Sequence, residues 1–218
     1  MKLDRNSYGT ILLVYLISAA ILVPLFVLNA SPWVKRPVFA IAAYMCIWQT
    51  CFFRVPKRVR RGDATKVTSV ADGKVVILEQ VFEDKFLKKD CLQISVYMNF
   101  FDVHANFWPV DGEVTYYEYF PGEHFLAFKP KASEENEHTC TCIKTPGGQD
   151  VFFKQLAGTF ARRIVCYSKP GLKTRSGEQC GIIKFGSRID MYLPLDSKIC
   201  VSLGDRVRAC ETVIAELQ

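Results

Sequence analysis

The sequence predicts a mainly β protein with a β-sandwich or barrel-like core and few helices, carried behind an N-terminal membrane-associated helical hairpin. Three observations predict it. From Asn6 to Val34 the chain holds no charged residue, and after Lys35-Arg36 a second uncharged run covers Pro37–Phe53. Beyond residue 61, short runs rich in β-branched and aromatic residues alternate with Gly, Pro and Asp punctuation. Basic charge is concentrated at the front: residues 1–61 carry nine Lys/Arg against Asp4 alone, whereas 62–218 carry nineteen against twenty-one acids.

The first apolar run is long enough to cross a bilayer, which needs roughly 20 helical residues. The second can span with local thinning, or lie in the interface anchored by Trp48 and Phe52-Phe53. Its length and the internal Pro24 argue against a cleaved signal peptide. Arg54, Lys57, Arg58, Arg60 and Arg61 outweigh Lys35-Arg36, so the positive-inside bias turns residues 62–218 toward the cytoplasm at the cell membrane. A nucleic-acid binder would carry its positive charge on the folded domain, so no nucleic-acid partner is expected. The 218-residue chain is 50% hydrophobic and 23% charged, which excludes disordered and collagen-like classes.

Nine cysteines, an odd number without regular spacing, fit free, mostly buried thiols in a reducing compartment better than a disulfide framework. Cys140 and Cys142 share one strand face at period two, but further soft ligands are not spaced for a metal, and none is expected.

Strands are predicted at Lys74–Leu78, Leu92–Phe100, Val114–Phe120, Cys140–Lys144, Gly181–Phe185, Arg188–Leu193 and Lys198–Leu203. A helix is predicted over Val151–Ile164, because Phe152, Gln155, Leu156, Thr159 and Phe160 share a 3.6-residue face. Ala132–Glu137 reads as a loop or short helical turn. Ala71-Asp72-Gly73-Lys74-Val75 is echoed by Val110-Asp111-Gly112-Glu113-Val114; alone, the echo signifies a turn. The stretch 203–217 resembles the closing hairpin of biotinyl/lipoyl-type modules, without a convincing lysine at the hairpin tip. That likeness leaves open a non-enzymatic, membrane-anchored adaptor.

Two clusters carry candidate chemistry. His104 follows a strand in the Asn/Asp/Pro-rich segment 98–112, where a lone histidine is ordinarily structural. The other is Gly181–Tyr192, an apolar strand that reaches Gly186-Ser187 and resumes at Arg188; a Gly-Ser step is ordinarily a turn or bulge.

Together with other segments these clusters resemble the phosphatidylserine decarboxylase family, in its short bacterial-type branch. The matching pieces are Phe52–Arg58, Ala71–Gly73, Phe101–Asn106, Lys131–Glu137, Gln155–Gly158, Ala161–Tyr167 and Phe185–Asp190, in family order. The resemblance implies a proenzyme that cuts itself between Gly186 and Ser187. The Ser187 hydroxyl attacks the Gly186 carbonyl, turning amide into ester. β-Elimination frees the upstream chain and leaves dehydroalanine, which hydrolyses to a pyruvoyl group and ammonia. The products are chains 1–186 and 187–218, paired as a heterodimer.

The same resemblance implies that the Ser187-derived pyruvoyl group, in place of PLP, forms a Schiff base with phosphatidylserine in the membrane and accepts electrons as CO2 leaves, giving phosphatidylethanolamine. His104 is the implied general acid, Asp72 is implied in self-cleavage, and Arg188 is a candidate for the substrate phosphate. The chain departs from the longer family members at Phe107, where they carry a second histidine that works with the aspartate on the cleavage serine. Either His104 serves both steps or Ser187 is activated differently. His124 and His138 receive no role, and ester and ether-linked (archaetidyl) serine lipids are not distinguished.

Overall fold

In a computed structural model, the described residues are 2–60, 63–123, 125, 135–158, 163–184 and 187–218. Gly186, His124, Arg61 and parts of the segments 131–137, 161–167 and 185–190 lie outside them. The chain divides into two compact units, Met1–Pro56 and Lys57–Gln218.

The first unit is the expected hairpin. Strand β1 (Lys2–Leu3) leads into α1 (Tyr8–Val27), then α2 (Pro32–Phe52) and β2 (Arg54–Val55). β1 and β2 pair antiparallel, which brings the two ends of the hairpin together. Asp4 starts the first helical segment by accepting from the Asn6 amide at 3.0 Å and the Ser7 hydroxyl at 2.8 Å. Pro32 opens α2 at its first turn, where the missing N–H leaves no bond unmade. Tyr15 meets Thr50 at 3.1 Å and Cys46 meets Ser18 at 3.5 Å, so the helices run antiparallel. Arg5–Val27, with mean hydropathy 2.6, is long and apolar enough to cross a membrane.

The second unit is β-rich. Its strands in chain order are β3 (Lys66–Thr68), β4 (Gly73–Glu83), β5 (Lys89–Met98), β6 (Ala105–Phe107), β7 (Gly112–Phe120), β8 (His138–Lys144) and β9 (Asp150–Ala157). There follow β10 (Arg163–Cys166), β11 (Lys173–Thr174), β12 (Gln179–Lys184), β13 (Ser187–Leu193), β14 (Lys198–Ile199), β15 (Arg206–Val207) and β16 (Val213–Glu216). A curled eight-stranded sheet has the order β11-β7-β8-β9-β13-β5-β4-β15; two three-stranded sheets have the orders β10-β12-β6 and β14-β16-β3.

Strand β13 is central and covered on both faces. Ile189, Met191 and Leu193 join the main core, while Tyr192 joins a second cluster with Cys91, Cys140, Cys142 and Phe152. Cys140 and Cys142 therefore do share a face, and burial pushes both thiols up to about 12.

The predicted helix over Val151–Ile164 is not formed. Residues 150–157 make β9 between β8 and β13, and 163–166 make β10. β9 is buried on both faces, so its sequence lacks the period-two alternation that marks a half-exposed strand and imitates a helical stripe. The predicted strand Lys198–Leu203 stops at Ile199. There the Ser202 amide turns to the Asp205 carboxylate at 2.8 Å and the Asp205 amide to the Ser202 carbonyl at 3.1 Å.

The repeated Asp-Gly segments are more than turns. A Cβ on Gly73 would stand 2.2 Å from the Tyr97 carbonyl oxygen, and one on Gly112 would stand 2.3 Å from that of Lys144. Each glycine lets a strand start directly against a neighbouring backbone. Asp72 accepts from the Ala209 amide at 2.8 Å and pairs with Arg58 at 2.5 Å. Asp111 likewise accepts from the Ser176 amide at 2.8 Å and pairs with Arg60 at 2.7 Å. These ties place Arg58 and Arg60 in the β unit. Two members of the basic cluster that follows the apolar runs are thus engaged in ion pairs.

Candidate active site

The site is built where the chain changes sheets. β12 lies between β10 and β6, whereas β13, only two residues further on, lies between β9 and β5. Ser187 is the first residue of β13, facing Met98 on β5 and Ala157 on β9, and it is fully buried. Its hydroxyl lies 3.6 Å from the Met98 sulfur, a weak acceptor that leaves the oxygen lone pairs available as a nucleophile.

A chain of buried amides backs this position. Gln155 donates to Asn106 Oδ1 at 2.8 Å and accepts from the Thr139 hydroxyl at 3.0 Å. The Asn106 amide nitrogen approaches the same Met98 sulfur at 3.8 Å. Asn136 donates to the Ala157 carbonyl at 2.7 Å, fixing the strand residue that faces Ser187.

His104 precedes β6 and is fully buried; its carbonyl accepts from the Ile183 amide at 3.3 Å, on the strand leading to Ser187. Its Nδ1 lies 3.0 Å from the Asp102 carbonyl oxygen. A carbonyl only accepts, so Nδ1 carries the proton and Nε2 is the nitrogen that gains or loses one. Asp102 is in turn held by the Asn99 amide and by Arg206, both at 2.9 Å. Phe107, at the position where longer family members carry a second histidine, is buried in β6.

Both carboxylate oxygens of Asp72 are occupied, by Arg58 and the Ala209 amide. Burial pushes this carboxyl above its ordinary value, against the opposing pull of those two partners. Arg188 departs from expectation. Its Nε lies 2.7 Å from Asp190 Oδ1 and its Nη2 donates to Oδ2 at 2.9 Å, with both side chains fully buried. A guanidinium so enclosed does not present itself to a lipid phosphate. Alternate residues of the doubly covered β13 turn to opposite faces, and both faces are buried. On that second face Lys154, opposite Asp190, pairs with Glu83 at 3.2 Å, so the buried charges balance.

His138 stacks on Phe120, and burial lowers it from its ordinary value. Among the described residues no group of three or more His, Cys, Asp or Glu is placed to hold a metal ion.

Asn106, Gln155, Asn136 and Asp190 were not singled out from sequence. All four lie inside the segments that carried the resemblance, and that was the available signal; uncharged amides in apolar strands otherwise look ordinary.

Fold and site together define a β-rich domain that buries a serine at the junction of two sheets, backed by an amide network, with a tautomer-fixed histidine bonded through its carbonyl to the strand that precedes the serine. The sequence model of phosphatidylserine decarboxylase matches residues 47–215, and the chain belongs to that family. It is similar to the phosphatidylserine decarboxylase proenzyme of Nitrosomonas europaea, 44% identical over 200 residues that cover 92% of this chain and 91% of the relative. The proenzyme of that name from Amoebophilus asiaticus is 42% identical over 171 residues, covering 78% of this chain and 76% of the relative. The one from Parabacteroides distasonis is 37% identical over 218 residues, covering 100% and 99%.

Proposed function

We propose that the chain is a self-cleaving proenzyme that decarboxylates phosphatidylserine to phosphatidylethanolamine at a membrane surface. The observation that carries this reading is Ser187 itself: a buried hydroxyl at the first residue of a central strand, directly after a change of sheet, within the span the family model matches. Cleavage before Ser187 turns that residue into a pyruvoyl group, which supplies the electron sink for loss of the carboxylate. Met98 and Ala157 hold the residue from both sides, and the Asn106–Gln155 pair keeps its surroundings fixed. His104 moves the proton through Nε2, because Asp102 occupies Nδ1. Asp72 is a positioning residue in this account, holding Arg58 and the Ala209 backbone.

The severed chain 187–218 stays in place for a topological reason. β13 is bonded on both edges, β15 pairs with β4, and β16 pairs with β3, so a heterodimer of the two products is the natural end state. The apolar helix α1 keeps the enzyme at the bilayer where its substrate resides, with the β unit on the cytoplasmic side. The test is Ser187→Ala in proteoliposomes containing phosphatidylserine. It should yield a single uncleaved chain that releases no CO2; decarboxylation by that variant would overturn the proposal.

A further inference from the structure

Residues 99–102 form a tight turn whose two central positions are Phe100 and Phe101. Central turn positions ordinarily go to Gly, Asn, Asp or Pro. Here the turn is rigidly made from its polar ends. The Asp102 amide donates to the Asn99 carbonyl at 3.1 Å, the Asn99 amide to the Asp102 carboxylate at 2.9 Å, and the Phe101 amide to Asn99 Oδ1 at 2.8 Å. The frame therefore holds an aromatic tip outward, with Phe101 70% exposed.

Cations and one more apolar residue surround this tip. Arg206, itself largely exposed, donates to Asp102. Arg206 faces Lys74 across β15 and β4, and Lys74 faces Tyr97 across β4 and β5, which places them in one row on the sheet. Lys74 is exposed, and the exposed Leu203 lies on the turn whose Gly204 amide bonds to the Val75 carbonyl at 2.9 Å. Exposed aromatic rings flanked by Lys and Arg suit the headgroup region of an anionic bilayer, where rings enter the interface and cations meet phosphates.

We infer that the Asn99–Asp102 turn is an interfacial wedge by which the β unit docks on an anionic membrane, with Phe100 and Phe101 entering the interface and Lys74 and Arg206 meeting lipid phosphate. The wedge is built into the site: the Asp102 that closes the turn also fixes Nδ1 of His104 through its carbonyl. Docking and the orientation of the proton carrier are thus one structural unit. Arg206, not Arg188, is the cation that a lipid headgroup meets first. The inference rests on the proposed reading for its substrate, but its crosslinking test is read without turnover, so the two can fail separately.

The test places p-benzoylphenylalanine at position 101 or position 82 of the full-length protein, in vesicles of phosphatidylcholine and phosphatidylserine at 4:1. Phe82 is 61% exposed at the other end of β4, about 26 Å from Lys74 at the rise of a strand. Irradiation should give lipid adducts at 101 and few or none at 82. Equal adducts at both positions, or only protein crosslinks at 101, would overturn the wedge. Independently, Phe101→Asp should lower the ratio of turnover on vesicles to turnover on monomeric short-chain phosphatidylserine about tenfold, whereas Phe101→Trp should preserve it. Self-cleavage is monitored in each variant as the check on folding, and an unchanged ratio for the cleaved Phe101→Asp protein would also contradict the inference.

Discussion

Gln155 donates its side-chain amide to Asn106 at 2.8 Å, joining β9 to β6 beneath Ser187. Both side chains are fully buried, so neither can exchange its partner for water. Gln155→Leu leaves the Asn106 oxygen and the Thr139 hydroxyl without their bond. The expected loss is about 1–3 kcal/mol of stability, together with slower maturation. Denaturant titration and the ratio of cleaved to uncleaved chain check it; unchanged values of both would remove the network from the account.

In the proposed mechanism His104 moves a proton through Nε2, its Nδ1 being held by the Asp102 carbonyl. His104→Ala should mature and then release CO2 more slowly by roughly 10²–10⁴-fold, the usual contribution of a positioned acid or base. Should the variant accumulate as an uncleaved chain, His104 also activates Ser187, taking the role left vacant at Phe107.

The two arginine ties differ in burial, and their variants should differ accordingly. Arg58 and Asp72 are 8% and 14% exposed, whereas Arg60 and Asp111 are 32% and 35% exposed. Arg58→Ala strands a mostly buried carboxylate and should destabilise by about 3 kcal/mol. Arg60→Ala should lie at about 1 kcal/mol or below. Equal losses in thermal or chemical denaturation would contradict this ranking.

Stability should fall on both sides of neutrality, for opposite reasons. Burial lowers His138 from its ordinary 6.5, so below that pH the unfolded chain binds a proton that the fold refuses. Stability is then lost as pH falls toward the lowered value, and His138→Gln should flatten this acid limb. Cys140, Cys142 and Cys210 are pushed up to about 12 from an ordinary 9.0, so above pH 9 the unfolded chain sheds protons first and stability is lost as pH rises. The same burial makes these thiols slow toward iodoacetamide at pH 8 in the native state, while Cys200, the exposed cysteine of the β unit among the described residues, reacts ahead of them.

The hairpin and most strands were legible because their signals are local. An uncharged run of helical length marks α1, and β-branched runs between turn residues mark β4, β5, β7, β8, β12 and β13 within a few residues. β9 was not legible, because burial on both faces erases the alternation on which the reading depends. The Asp-Gly echo was visible, but its meaning lies in Arg58 and Arg60, which reach the aspartates from 14 and 51 residues away in sequence. Ser187 and His104 were singled out through family segments, and their roles are part of the proposed function. The burial of Arg188 was not legible, since the pairing that encloses it joins strands 89–98, 150–157 and 187–193.

The most direct test of the central claim is intact mass spectrometry of the purified protein. The account predicts two chains split between Gly186 and Ser187, the smaller lighter by one ammonia than plain hydrolysis would leave it. A single chain of 24.8 kDa from a preparation that decarboxylates phosphatidylserine would contradict the account and return Ser187 to an ordinary strand residue.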